Sequence, residues 1–128
     1  MGALIDSSVI VAVERGMTPG APITSEPLVI AAITASELLA GVHAADAARR
    51  GRTEAFVEGV LAGAQILPFD VVVARVHARV RFELAKSGQP IGALDLMIGA
   101  TALAHGLAIA THNVRDFERI PGLEVVRV

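Results

Sequence analysis

Apolar residues fall along this chain in runs of two kinds. Short ones, GALI (2–5), LVIAAI (28–33), QILPF (65–69), LAIAT (107–111) and LEVVRV (123–128), have the length and branched aliphatic content of strands covered on both faces. Between them lie longer stretches with helical spacing. Ser7 or Ser8 caps a first helix reaching about Arg15. Thr34 caps a second, ASELLAGVHAA, with Glu37 three residues on in the arrangement of a capping box. RTEAFVEGVLAGA (52–64) is a third helix. Asp70 caps a fourth that runs to about Ser87, with Val72, Val76, Val80 and Leu84 on one stripe. ALDLMIGATALAHG (93–106) is apolar nearly all round, which predicts a buried helix stopped at Gly106. NVRDFERI (113–120) predicts a short one. GMTPGAPITSEP (16–27) and SGQPIG (87–92) are turn chemistry. Strands separated by helices predict an α/β fold whose parallel sheet is covered on both faces.

A chain of 128 residues suits one domain, spanning residues 1–128, and a hydrophobic content of 53% excludes disorder. The absence of Cys removes disulfides and thiolate-bound zinc and permits a cytoplasmic home. The opening MGALIDSSVIV lacks the basic stretch of a secretory signal. The longest membrane candidate, residues 91–111, is broken by Asp95, His105 and three glycines, so a buried helix followed by a strand explains it better. No membrane association is expected. The net charge of −2 offers no global basic field for nucleic acid. Without Trp or Tyr, and with four Phe, broad base-stacking platforms are also missing, so a bound nucleic acid would be held through its backbone. The arginines suit forked contacts to phosphate. RRGR (49–52) and the pair Arg75 and Arg79 at helical spacing are candidates, though solvated helix faces are the simpler explanation for each.

The acids change the picture more. Asp6 ends the first strand, Glu37 lies in the first turn of the helix after the second strand, and Asp116 follows the LAIAT strand by a few residues. In parallel α/β sheets, strand C-termini and helix N-termini share one edge, where ligands bind. Asp95 is the only formal charge between Ile91 and Ala104, and a carboxylate on so apolar a helix needs a partner that no nearby Lys or Arg supplies. Each acid has a purely structural role open to it, as strand end, capping box, surface ion pair or helix-dipole charge. Their joint placement favours one shared site.

Several hard oxygen ligands, with no Cys and no His at ligand spacing, favour Mg²⁺ or Mn²⁺ over zinc. The histidines, at 43, 77, 105 and 112, are scattered, and only His112 lies beside the acids. No G-x-S-x-G, Walker loop or G-x-G-x-x-G is present. A carboxylate-held cation that clamps phosphate oxygens and activates water suits phosphodiester hydrolysis.

LIDSSVIVAVERG, ITASELLAGVHAA and PIGALDLMIGATALAHGLAIATHNVRDFERIPGLEV resemble, in order and spacing over essentially the whole chain, the PIN-domain ribonucleases. More closely they resemble the VapC-type toxins of VapBC toxin–antitoxin pairs. The resemblance implies a PIN-like α/β/α sandwich with a central parallel sheet, and a Mg²⁺-dependent endoribonuclease in which Mn²⁺ can substitute. It places Asp6, Glu37 and Asp95 on the family's first three acidic positions. Many PIN domains carry a fourth acid where this chain has Asn113, and Asp116, about one turn further, supplies the charge instead. Asp6 and Asp95 are then direct ligands, Glu37 a ligand or water-orienting base, and Asp116 an auxiliary. Ser8, Thr111 and Asn113 position these groups or a phosphate. The implied partners are a cognate VapB-type antitoxin, an RNA substrate (tRNA or rRNA), and a second copy in a homodimer or toxin–antitoxin hetero-oligomer. The departure at Asn113 keeps open a catalytically silent, metal-binding regulatory module. A magnesium phosphatase or a DNA-directed nuclease on a related sheet is a second rival.

Overall fold

The protein is described from a computed structural model covering residues 2–17 and 27–128. The elements run β1 (Ala3–Ile5), α1 (Ser7–Glu14), β2 (Val29–Ala31), α2 (Ala32–Ala44), α3 (Ala47–Gly63) and β3 (Gln65–Leu67). They continue with α4 (Val71–Lys86), α5 (Ala93–Ala104), β4 (Ala108–Thr111), α6 (Val114–Phe117) and β5 (Val125–Arg127). The strands lie in the order β3-β2-β1-β4-β5, and every neighbouring pair is parallel. This is the sandwich with a central parallel sheet that the strand and helix pattern predicts.

With strands this short, the two-residue alternation of side chains decides which layer each position feeds. Leu4, Ala31 and Ile109 join Val80 and Leu84 of α4, Leu96 and Ile98 of α5, and Phe117. Ile5, Ile30 and Ala110 point the other way, to Val9 and Ile10 of α1, Leu38 and Val42 of α2, and Val57 of α3. Each larger aliphatic side chain among them contributes about 1.5–3 kcal/mol when fully buried. The two layers therefore clamp β1 and β4 from both sides, and these strands carry the site.

Several boundaries differ from the sequence reading. Helix α2 starts at Ala32, straight from the extended Ala31, so Thr34 is its third residue and caps nothing. Thr34 is fully buried, and its Oγ1 has no hydrogen-bond partner among the described residues. Glu37 consequently sits in the second turn, not the first. Packing set this start: Ile33 packs against one core layer and Leu38 lies in the other, which a helix from Ala32 achieves. Similarly, α1 starts at Ser7 with Asp6 in the N-cap position, so neither serine is the cap, and the Asp6 side chain makes no cap bond. Helix α3 begins earlier than expected, where Asp46 Oδ1 accepts from the Arg49 amide at 3.0 Å, so residues 49–52 lie in its first turns. The cap at Asp70 holds, accepting from the Val73 amide at 3.1 Å. Val72 is 60% exposed, and Val73 takes its place on the buried stripe with Val80 and Leu84. Gly106, at φ 66°, ends the α5 turn as expected of a residue free to enter left-handed conformations. Of the turn predicted over 16–27, residues 18–26 lie outside the described part.

Candidate active site at the switch point of the sheet

Chain order runs outward from β1 through β2 to β3, then crosses to β4 on the other side of β1. A sheet wound this way leaves a crevice beyond the carboxyl ends of the two strands flanking the reversal. Here those strands are β1 and β4, paired in register with Ile5 opposite Ala110. The next residues outward are Asp6 and Thr111, and both are buried, Asp6 to 3% exposure. The crevice floor is thus a carboxylate beside a hydroxyl.

That carboxylate is held on one oxygen. Ser8 Oγ and Thr111 Oγ1 each donate to Asp6 Oδ2 at 2.8 Å, while the Asp6 amide donates to the Ala110 carbonyl at 3.0 Å. Oδ1 takes part in neither side-chain bond. Thr111 Oγ1 also accepts from the Asn113 amide at 2.8 Å, and Ser8 Oγ accepts from the His112 amide at 3.3 Å. The turn after β4 is thereby folded back over β1.

Asn113 plays a part that no spacing in the chain reveals. Its Nδ2 donates to Asp95 Oδ2 and to Asp116 Oδ2, both at 3.1 Å, so one carboxamide bridges the acid at the start of α5 to the acid in α6. The sequence offers Ser7 only as a possible cap, yet it lies near enough to Glu37 to pull that carboxyl's pKa down in part. Proximity in space, across α1 and α2, is the only signal for that.

The structure brings all four predicted acids to this crevice. Burial pushes the Asp95 carboxyl above its ordinary range, repulsion from Asp6 and Asp116 pushes the same way, and the Asn113 bond partly offsets both. Burial likewise raises Glu37, offset in part by Ser7 and reinforced by Asp6 and Asp95. Among the described residues the only cation paired with any of the four is Arg119, 3.8 Å from Asp116. Among the same residues Glu37 Oε1 is buried with no hydrogen-bond partner.

An acidic group whose pKa is raised on folding binds more protons folded than unfolded between its ordinary and raised values. Stability then falls as pH rises through that interval, and the loss is complete above it. The ordinary values are 3.8 for Asp95 and 4.5 for Glu37. Without divalent cation, mild acidification from neutrality toward that interval should therefore raise the melting temperature, and Asp95→Asn should flatten the dependence. Melting curves in EDTA across this range check it; a wild-type melting temperature that only falls on acidification would contradict the repulsion described.

A hard divalent cation fits these residues. They offer oxygen donors only, and among the described residues no cation pairs with Asp6, Glu37 or Asp95 and the buried Glu37 Oε1 lacks any partner. Among the described residues no three acidic or imidazole groups form a preassembled cage. Mg²⁺ needs none, since it keeps several waters and is commonly bound through one or two carboxylates.

The PIN domain family model matches residues 3–123. A ribonuclease VapC of Rickettsia bellii is 38% identical over 130 residues, spanning 100% of this chain and 97% of that protein. The chain belongs to the PIN-domain family of VapC ribonucleases. A second VapC relative, the tRNA(fMet)-specific endonuclease VapC of Salmonella typhimurium, is 38% identical over 96 residues, covering 75% of this chain and 71% of its own. The DNA-bound VapBC structure from Salmonella typhimurium superimposes with a TM-score of 0.85 at 28% identity, over 99% of this chain and 98% of that one. In this PIN domain no helix of the described residues is long and apolar enough to cross a membrane.

Proposed function

We propose that this VapC ribonuclease is a Mg²⁺-dependent endoribonuclease toxin that cuts tRNA or rRNA at the β1/β4 crevice, with Mn²⁺ able to replace Mg²⁺. The observation that carries this reading is the proximity of Asp6, Glu37 and Asp95, with no cation paired to any of them among the described residues and with Glu37 Oε1 buried and unpartnered there. Asp6 and Asp95 would hold the cation, which supplies charge neutralisation at the phosphate and a more acidic water. Ser8 and Thr111 fix the Asp6 carboxylate by loading one oxygen, which leaves the other for the cation. Asn113 ties Asp95 to Asp116, so the missing fourth acid is replaced by a donor that tolerates two carboxylates. Glu37, its carboxyl raised by burial, is suited to accept a proton from the attacking water. The phosphodiester P–O bond breaks as the new P–O bond forms, and the leaving oxygen is protonated. VapBC complexes among the similar structures support a cognate VapB-type antitoxin as partner; the same reading includes a homodimer or toxin–antitoxin hetero-oligomer and a cytoplasmic site of action.

The test is to sequence the RNA ends produced by purified protein with Mg²⁺, beside EDTA and beside a generic phosphomonoester. Discrete cuts that need the cation, with the monoester untouched, are expected. Full cleavage in excess chelator would overturn the metal reading. Turnover of the monoester alone would favour a phosphatase, and no turnover of either would favour the silent module.

A further inference from the structure

A cleft of about 290 Å³ opens from the Glu37 side of the crevice and runs between α1, α2 and α3. Its lining includes Glu37, Leu38, Phe56, Arg15, Arg49 and Glu14. Arg49 belongs to the basic stretch that the catalytic reading leaves unused. Arg15, just past the end of α1, reaches the same cleft from a different part of the chain. Both arginines are exposed, and among the described residues neither guanidinium is in an ion pair or a side-chain hydrogen bond. Within the same stretch Arg50 donates to the Ala45 carbonyl at 2.8 Å, and in the opposite layer Arg79 on α4 pairs with Glu83 at 3.2 Å.

We infer that this cleft is a nucleotide subsite, in which Arg15 and Arg49 grip an RNA backbone phosphate next to the one being cut. The inference rests on the ribonuclease reading above. Its charge logic depends on position. Glu37 lies near Asp6 and Asp95 and belongs to the cation's surroundings, which leaves two guanidinia against the single carboxylate of Glu14 on the rest of the lining. Guanidinium forks match phosphate oxygens, and unpaired ones lose no existing partner on binding. The half-buried Phe56 ring on the lining offers a small apolar edge to a base or ribose, in keeping with the sequence's lack of broad stacking platforms. An RNA strand threaded from Glu37 outward would therefore leave the acids and meet positive charge.

The experiment is steady-state cleavage of an RNA that the wild type cuts, at fixed Mg²⁺ over a series of monovalent salt concentrations. Arg15→Gln/Arg49→Gln should raise KM roughly tenfold, as expected for lost charged hydrogen bonds, with kcat largely kept. The slope of log(kcat/KM) against log[salt] should become shallower by about 0.7 for each phosphate that is no longer neutralised. The Lys variants of both positions should recover most of the slope, which a merely structural role for the arginines would not give. Arg79→Gln, outside the cleft, should leave KM and slope at wild-type values. If the wild type cuts no RNA, the ribonuclease reading falls and the subsite falls with it. If the wild type cuts and the double Gln variant keeps both KM and slope, the subsite alone is wrong. Unchanged RNA kinetics together with loss of a co-purifying protein would make the cleft a peptide groove and overturn the assignment.

Discussion

Asp95→Asn is expected to lose RNA cleavage at least ~100-fold while melting at or above wild type in EDTA. Loss of groups that merely orient metal ligands commonly costs 10- to 100-fold, and a direct ligand should cost no less. The stability half of the result follows from two opposed effects, with the Asn113 bond kept in place. Gly92 is the N-cap of α5, and Asp95 makes no capping bond, so the carboxylate's service to the helix is limited to its charge in the first turn. That service is worth roughly 0.3–1 kcal/mol. Against it stands repulsion from Asp6 and Asp116, on the order of a kcal/mol or more for like charges a few ångströms apart at surface dielectrics. The Asn113 donor bond survives the change, because the new side chain keeps a carbonyl oxygen to accept it. Added Mg²⁺ should raise the melting temperature of wild type, since binding to the folded state alone adds about 2.7 kcal/mol at a hundred times Kd. The variant should gain much less. A variant that is destabilised in EDTA yet keeps the full Mg²⁺ shift would show the carboxylate serving the fold instead.

The layered fold could be read from the chain because it depends on pattern. Runs such as LVIAAI and LAIAT are buried from both sides, and a helix as apolar as 93–106 has nowhere to go but the interior. The four acids could be read for a related reason. Strand ends and helix starts of a parallel sheet meet at one edge, so residues as distant in the chain as Asp6 and Asp116 are expected together and lie together. Local chemistry was the weaker guide. Thr34 and Glu37 have the spacing of a capping box, but helix α2 begins before them because core packing outweighs about 1 kcal/mol of capping. The Asn113 bridge was hidden for a different reason. Whether an amide reaches one carboxylate, two or none depends on small shifts of the turn after β4, and no spacing rule reports that. Arg15 was similarly invisible, since only the packing of α1 beside α2 and α3 brings it to the cleft that Arg49 lines.

Thr111→Val should cause the largest loss of stability among the side chains that support the site, about 2–3 kcal/mol. The hydroxyl is fully buried and serves two partners, donating to Asp6 Oδ2 and accepting from the Asn113 amide. Val has nearly the same shape, so no cavity opens, and the loss isolates the hydrogen bonds. A bond to a charged acceptor contributes about 1.5–3 kcal/mol, and leaving a buried partner unsatisfied carries its own penalty. Ser8 still donates to the same Asp6 oxygen, which limits the damage on that side. For a chain of this length the loss corresponds to a fall in melting temperature of roughly 8–12 °C. Activity should fall as well, because the Asn113 turn that bridges Asp95 and Asp116 is anchored through this hydroxyl. Thr111→Ser keeps the oxygen and should recover most of the activity, giving up only a buried methyl. Thermal melting of the two variants, each with and without Mg²⁺, separates the roles. If Thr111→Val melts with wild type and retains its Mg²⁺ shift, the hydroxyl does not hold the Asp6 carboxylate, and the β1/β4 junction is not what sets the geometry of the acids.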